Sequence, residues 1–342
     1  MKKKKYEYIH LLKAEGQNAA KDIPIYMIPV VFTGSLLTTL FGGSAGKEGA
    51  AVAIGGTFAD FISRLFQLND DEQKILVISG VGSSFGLIYD VPFAGAILGM
   101  ELVLKKMFNY QALIPAFLTS VIANEVGNYF GRKIIRYPSL KIGNLTFIVI
   151  CKLVLLGVMF GLLGMIFNYA LDNSGKVYSK FIKSPLIKGF VGGVITIILF
   201  IILGEDYNGL GTTYIINSFT EPAYILDFFW KIIFTAVALG SVFQGGRGNP
   251  IFFVGATFGS AIASYVNLPI KAVTALGMIG AFCSATSLPI TSIIMSLEYF
   301  GSNDVLAIII VMTISYVISG FYDIFSKNNI EENKKDILEG KI

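Results

Sequence analysis

The sequence predicts an all-α integral membrane protein made of short, tilted and broken transmembrane helices arranged as two repeats, the first incomplete. Three observations lead there: an apolar composition with little charge, apolar runs interrupted by glycine, and an internal match between stretches 200 residues apart. Of 342 residues, 54% are apolar and 15% charged, the mean hydropathy is +0.68, and there are 37 glycines and 28 phenylalanines. A soluble domain of this size carries more charge, so the bilayer is its natural solvent.

Residues 1–22 are polar, with Lys2 to Lys5, Lys13 and Lys21, and lack the pattern of a cleavable signal. The positive-inside tendency puts this segment in the cytoplasm, so the net charge of +4 reads as topology and not as a nucleic-acid surface. Apolar runs follow at 24–41, 75–104, 111–126, 145–170, 189–204, 228–243, 250–265, 269–299 and 303–321. Several approach the roughly 20 residues that cross a hydrocarbon core, and others fall short of it. A polar tail at 326–342 is expected in the cytoplasm. The chain thus divides into a polar segment 1–22, a first membrane repeat 23–128, a second 129–325 and the tail, with the whole placed as a multi-pass protein of the cell membrane. Cys151 and Cys283 lie far apart in apolar runs and read as small core residues, not as a disulfide.

The repeat is visible in two stretches. Gly46-Lys-Glu-Gly-Ala-Ala-Val-Ala-Ile-Gly-Gly-Thr-Phe58 matches Gly246-Arg-Gly-Asn-Pro-Ile-Phe-Phe-Val-Gly-Ala-Thr-Phe258. Further on, Val91-Pro-Phe-Ala-Gly-Ala-Ile-Leu-Gly-Met-Glu101 parallels Leu288-Pro-Ile-Thr-Ser-Ile-Ile-Met-Ser-Leu-Glu298, each preceded by an expected small-residue turn, at Val81-Gly-Ser-Ser and Ile279-Gly-Ala-Phe. Repeats built on short, glycine-interrupted helices mark transport proteins, with the ion site between the halves. The second unit has about 100 residues ahead of Gly246 and the first only 45 ahead of Gly46. The first unit therefore looks short by about two helices, either because it evolved differently or because the natural N-terminus is missing.

The chemistry at the repeat suits an anion. Phe41-Gly-Gly-Ser-Ala-Gly-Lys-Glu-Gly49 places glycines where one helix ends and the next begins, and Gly245-Gly-Arg-Gly-Asn-Pro-Ile-Phe-Phe253 does so again with Pro250 in a first turn. Helix N-termini offer free N–H groups and a partial positive charge. Two of them meeting in mid-membrane can replace an anion's hydration shell. Glu48, itself an anion, can occupy such a site and swing away or take a proton when the transported ion competes.

These residues resemble the CLC family of chloride channels and anion/proton antiporters. Gly46-Lys-Glu-Gly49 is similar to that family's Gly-Arg-Glu-Gly-Pro, Asn249-Pro-Ile-Phe-Phe253 to its Gly-x-Phe-x-Pro, and Asp90-Val-Pro-Phe-Ala-Gly to its Asn-Ala-Pro-Leu-Ala-Gly. The resemblance runs from about Ile23 to Phe325 and implies an inverted repeat and a homodimer with one pore per subunit, joined through helices near 92–126 and 288–320. It implies Glu48 as the gating glutamate and Glu101 on the proton path. It also implies an anion site around Gly46, Lys47, Gly49, Asn249, Ile251, Phe252 and Phe253, with Phe253 facing the ion path. Phe325 stands where the family's pore tyrosine is expected, with Tyr322 as a nearby substitute.

Departures sharpen the resemblance. Chloride/proton exchangers carry two adjacent glutamates where this chain has Glu101-Leu102, and the second, which takes the proton, is lost. The fluoride/proton branch lacks it as well, and Gly42 to Gly49 and Gly245 to Pro250 are closer to that branch in wording. The family's first pore motif, expected before residue 23, is absent.

Other readings stand beside these. Glu48 could be a first-turn acid favouring its helix dipole, although an unneeded carboxylate inside an apolar repeat is costly. Glu101 could pair with Lys105 at i,i+4, and Glu298 in the equivalent place leans structural. Arg247 and Lys47 could be helix-end snorkellers, and Thr38 and Thr39 could satisfy their own helix. Three functional classes follow: a proton-coupled halide transporter of fluoride or chloride, a passive anion channel, and an enzyme or transport-inactive fragment. An enzyme needs a nucleophile–base or metal set, yet the lone histidine is His10 in the polar segment and no His/Cys/Asp cluster falls in the apolar runs. No metal or cofactor is expected. The expected partners are a halide, protons, the bilayer and a second copy of the chain.

Overall fold

A computed structural model describes residues 23–103 and 110–320. The N-terminal lysines, His10, Lys105, Tyr322, Phe325 and the tail lie outside the described residues. Those described form thirteen helices: α1 (Met27–Leu40), α2 (Glu48–Leu65), α3 (Asp70–Tyr89), α4 (Pro92–Val103), α5 (Tyr110–Tyr129), α6 (Phe147–Phe181), α7 (Pro185–Leu203), α8 (Thr212–Asn217), α9 (Asp227–Ser241), α10 (Gly248–Val266), α11 (Ile270–Thr286), α12 (Pro289–Phe300) and α13 (Val305–Ser319). Three of them, α6, α7 and α10, are long and apolar enough to cross a membrane, while α1, α4, α11 and α13 are apolar but shorter. At 1.5 Å per residue α6 is roughly 50 Å long, well beyond a ~30 Å hydrocarbon core, so it must tilt or emerge.

The halves repeat one arrangement with glycine as its enabling residue. In the α2–α3 hairpin a Cβ on Gly55 would lie 2.4 Å from the Gly80 carbonyl, and in the α10–α11 hairpin a Cβ on Gly255 would lie 2.2 Å from the Gly277 carbonyl. Backbones approach this closely only where neither helix carries a side chain, which is how helices associate without a hydrophobic driving force. Both hairpins then break in the same way. Asp90 (φ 59°) ends α3 and Ser287 (φ 55°) ends α11, each in the left-handed conformation that reverses the chain into α4 and α12.

These are the true turns. The small-residue turns expected at Val81-Gly-Ser-Ser and Ile279-Gly-Ala-Phe lie inside α3 and α11, where Gly82 packs on the Gly95 carbonyl and Gly280 on the Phe160 ring. Small residues there mark close helix contact and not a chain reversal.

Helices α4 and α12 lock the halves together. The Glu298 carboxylate, near the C-terminal end of α12, accepts from the N–H groups of Phe93 (2.9 Å) and Ala94 (2.7 Å) at the start of α4. Glu101, near the end of α4, accepts from Ile290 N–H (3.2 Å), Thr291 N–H (2.9 Å) and the Thr291 hydroxyl (2.6 Å) at the start of α12. Each helix thus caps the other's free amides with a carboxylate, so the two run antiparallel. Two smaller expectations resolve here. Thr38 and Thr39 donate within their own helix, to Gly34 O and Ser35 O, each at 3.0 Å. Cys283 is buried but Cys151 is exposed on α6, so only Cys283 is a core residue, and both thiols are free.

Candidate functional site

The site forms where α2 and α10 begin. The glycines ahead of both helices pair across the molecule: Gly46 N–H donates to Gly246 O at 2.8 Å, and Gly246 N–H returns to Gly46 O at 2.6 Å. This reciprocal bridge sets matching positions of the two repeats side by side and brings the two helix N-termini face to face. Two residues further in from each comes the asymmetry. Glu48 opens α2 and Gly248 opens α10.

Glu48 is buried, 6% exposed, with its carboxylate in the other half of the molecule. The Gly248 N–H donates to Glu48 Oε1, and the Asn249 N–H reaches the same oxygen at 3.4 Å. A carboxylate buried without compensation is costly. Here the free amides and the positive end of the α10 dipole supply that compensation. The residues around it are glycines because nothing larger fits. A Cβ on Gly46 would sit 2.1 Å from Glu48 Oε2, one on Gly246 2.1 Å from Oε1, and one on Gly248 2.9 Å from its Cγ. Gly49 backs onto Gly246, with its Cβ position 3.1 Å from the Gly246 Cα. The cradle therefore fits one anionic group that accepts from backbone amides, and Glu48 fills it.

The sequence-predicted residues divide into those gathered here and those placed elsewhere. Glu48, Gly46, Gly49 and Asn249 come together. Phe252 and Phe253 are both buried but point to different neighbours. The Phe252 ring packs on Tyr89 (5.2 Å) and Phe282 (5.0 Å), whereas Phe253 packs on Tyr207 (6.2 Å) and Tyr214 (5.1 Å). Ile251 is buried in the first turn of α10. The Lys47 side chain is exposed, so only its main chain borders the cradle. Arg247 pairs with Asp172 on α6 at 3.3 Å, a partnership on the second-repeat side. Glu101 lies in its α12 cap, away from Glu48's amides. Tyr322 and Phe325 lie outside the described residues.

Two groups were not foreseen. Lys231, inside the apolar run that became α9, is fully buried. Its ammonium donates to the carbonyls of Tyr207 and Gly209, both at 2.9 Å, and lies 4.9 Å from the centroid of the Phe253 ring. Asp227, one turn earlier, accepts from the Tyr207 and Tyr214 hydroxyls at 2.7 and 2.6 Å. Together they pin the 204–211 loop over Phe253, and Gly209 N–H reaches Gly42 O at 3.3 Å beside the first glycine turn. The second group is Tyr89, last residue of α3. Its ring also stacks on Phe85 at 4.8 Å, and its hydroxyl reaches the cradle.

Comparisons with known proteins agree with this architecture. The family described as voltage gated chloride channel matches residues 3–320. A chloride/fluoride channel protein of Pseudomonas syringae pv. tomato is 30% identical over 332 residues, covering 95% of this chain and 74% of that protein. Among solved structures, a CLC-type fluoride/proton antiporter superposes with a TM-score of 0.89 at 33% identity, over 93% of this chain and 81% of the other. A slow cyanobacterial Cl−/H+ antiporter shares the fold, with a TM-score of 0.80 at 19% identity over 95% and 81% of the two chains. With the inverted repeat, the paired helix N-termini and the matched sequence in hand, this membrane protein belongs to the voltage-gated chloride channel, or CLC, family.

Proposed function

We propose that the chain moves a small halide, fluoride or chloride, across the cell membrane in exchange for protons, with Glu48 as the gate. One observation carries the reading: the Glu48 carboxylate sits on the free amides of Gly248 and Asn249, in a glycine cradle sized for a single anionic group. A halide that binds there must displace the carboxylate, and a displaced carboxylate in apolar surroundings is a site for a proton. Competition for one seat couples the two ions. The relatives named above, a chloride/fluoride channel protein and a fluoride/proton antiporter, support a halide as cargo and make fluoride the first anion to test. A second copy of the chain joins through α4, α5, α12 and α13; the exposed faces of α5 and α13 carry Ile114, Leu118, Ile122, Leu306 and Ile309.

Passive anion conduction is the second reading, favoured by the engagement of Glu101. Both of its carboxylate oxygens accept bonds from α12, so the one inner carboxylate that the resemblance places on a proton path is held in a cap. Flux into liposomes separates the two. Under exchange, an inward halide gradient drives protons uphill in the wild type, and Glu48→Gln abolishes that movement while halide still leaks. Coupling that survives in Glu48→Gln removes Glu48 from the mechanism. A wild type that passes halide and never moves protons uphill establishes the passive reading.

A further inference from the structure

The cradle has more polar capacity than the backbone amides use. Glu48 Oε1 takes the Gly248 and Asn249 N–H groups, but Glu48 Oε2 is buried with no hydrogen-bond partner. The Tyr89 hydroxyl is also buried without a partner, on a side chain only 9% exposed. The two belong to one place. The point a Cβ would occupy on Gly248 lies 2.6 Å from the Tyr89 hydroxyl oxygen and 3.0 Å from the Glu48 carboxyl carbon. A buried hydroxyl left unpaired forfeits a hydrogen bond, and such a group calls for an explanation.

Everything around Tyr89 fixes the ring and leaves the hydroxyl available. The ring is held between Phe85 (4.8 Å) and Phe252 (5.2 Å). Its carbonyl accepts the Tyr299 hydroxyl at 2.8 Å, and the left-handed Asp90 immediately after it sets the direction of the helix end. The sole remaining freedom is rotation of the O–H bond, which can follow whatever acceptor stands over Gly248.

We infer that Tyr89 is the third donor of the anion site. Its hydroxyl stands beside the unpaired Glu48 carboxylate oxygen while the carboxylate fills the cradle, and donates to the halide when the carboxylate leaves. The inference rests on the reading of the Glu48–Gly248–Asn249 cradle as the anion site. It adds a specificity element to that site: a hydroxyl donates more strongly to a small, hard acceptor such as fluoride than to chloride, whereas the packing of a phenyl ring is indifferent to the choice.

The test uses the full chain in detergent with Glu48→Ala, which vacates the seat, titrated calorimetrically with sodium fluoride and with sodium chloride. Adding Tyr89→Phe, which keeps the stacked ring and removes only the hydroxyl, raises the fluoride Kd roughly tenfold, as expected for one hydrogen bond to a charged group. Chloride affinity falls less, so the preference for fluoride over chloride shrinks. Equal affinities with and without the hydroxyl overturn the role of Tyr89 while leaving the anion site standing. Failure of Glu48→Ala alone to bind either halide removes the site itself, and the inference with it. Should the phenylalanine variant not fold, 3-fluorotyrosine at position 89, a more acidic donor of nearly the same volume, supplies the opposite perturbation. Tighter fluoride binding is then expected, and unchanged or weaker binding counts against the inference.

Discussion

In the first half of the chain position 48 is a glutamate; at the matching place in the second half, 200 residues on, stands Gly248. Around these two positions the halves agree closely. Gly46 pairs with Gly246, Gly55 meets Gly80 as Gly255 meets Gly277, Asp90 and Ser287 turn the chain with the same left-handed backbone, and Glu101 and Glu298 exchange caps. The difference at 48 and 248 follows from what lies between them. A seat for one anion on a pseudo-twofold axis cannot be occupied from both sides. One half supplies the carboxylate, and the other supplies bare amides with no side chain to obstruct it. Symmetry builds the scaffold, and its failure at a single pair of residues lets one half's carboxylate rest on the other half's amides.

Restoring the symmetry should do the most damage. Gly248→Glu puts a second carboxylate against the first, where even a methyl would lie 2.9 Å from Glu48 Cγ. Two like charges confined to one buried site cost several kcal/mol, so this variant should fail to yield folded protein by size-exclusion chromatography in detergent. Adding Glu48→Gly moves the lone carboxylate to the other half and should recover much of the folded yield. If the swapped pair is no better than Gly248→Glu alone, the halves are less equivalent than their backbones suggest.

The next contrast lies at the helix breaks. Asp90 is held by Arg132, which also donates to Leu87 O, to Asn124 at 2.7 Å and to Asn128 at 2.7 Å, and Asn124 returns a bond to Asp90 at 3.0 Å. Ser287, its counterpart, has a buried hydroxyl with no partner. Arg132→Met should therefore loosen only the first half. The expected loss is about 3 kcal/mol, because Asp90 stays behind without its cation. A thermal melt checks the magnitude, and hydrogen exchange should place the loosening in α3 and α5.

The caps give a smaller and more diagnostic effect. Glu101→Gln and Glu298→Gln each weaken one cap and should each cost about 1 kcal/mol of stability. Their functional effects should differ if Glu101 also relays protons, for then Glu101→Gln lowers the proton-to-halide ratio in liposomes and Glu298→Gln leaves it unchanged. Equal ratios in both variants would make the two glutamates structural equivalents and remove Glu101 from the proton path.

How much of this was legible in the sequence depends on the range of each signal. The repeat and the cradle were legible because glycine and charge stand out inside apolar runs: the match of Gly46 with Gly246 anticipates their bridge, and Glu48 is conspicuous where a carboxylate is expensive. The breaks were misplaced by about eight residues. A glycine in close helix contact and a glycine in a turn look alike in one dimension, and the true turns use Asp90 and Ser287. Tyr89 and Lys231 were missed for a different reason. An aromatic at the end of an apolar run is the commonest of core residues, and what separates Tyr89 from the rest is the absence of a partner for its hydroxyl, which only folding reveals. Lys231 satisfies its ammonium with carbonyls 22 and 24 residues away, so no local pattern marks it.

The smallest expected effect tests the same comparison in the stabilising direction. Both breaks place a residue with a Cβ in the left-handed region, a conformation that costs roughly 1 kcal/mol for a residue other than glycine. At Ser287 nothing repays that cost, since its hydroxyl is unpaired and its contribution to the turn is the N–H bond to Cys283 O at 2.9 Å, which any residue can make. Ser287→Gly should therefore be neutral or stabilising by about 0.5 kcal/mol, the relief of strain being partly offset by the greater freedom of glycine in the unfolded chain. Asp90→Gly relieves the same strain but strands Arg132, and should be destabilising. Opposite signs for one chemical change at two equivalent turns, read from paired melts in the same detergent, would show that the scaffold is symmetric in its backbone and asymmetric in what its side chains hold; like signs would mean that the Arg132 network contributes little to the first half.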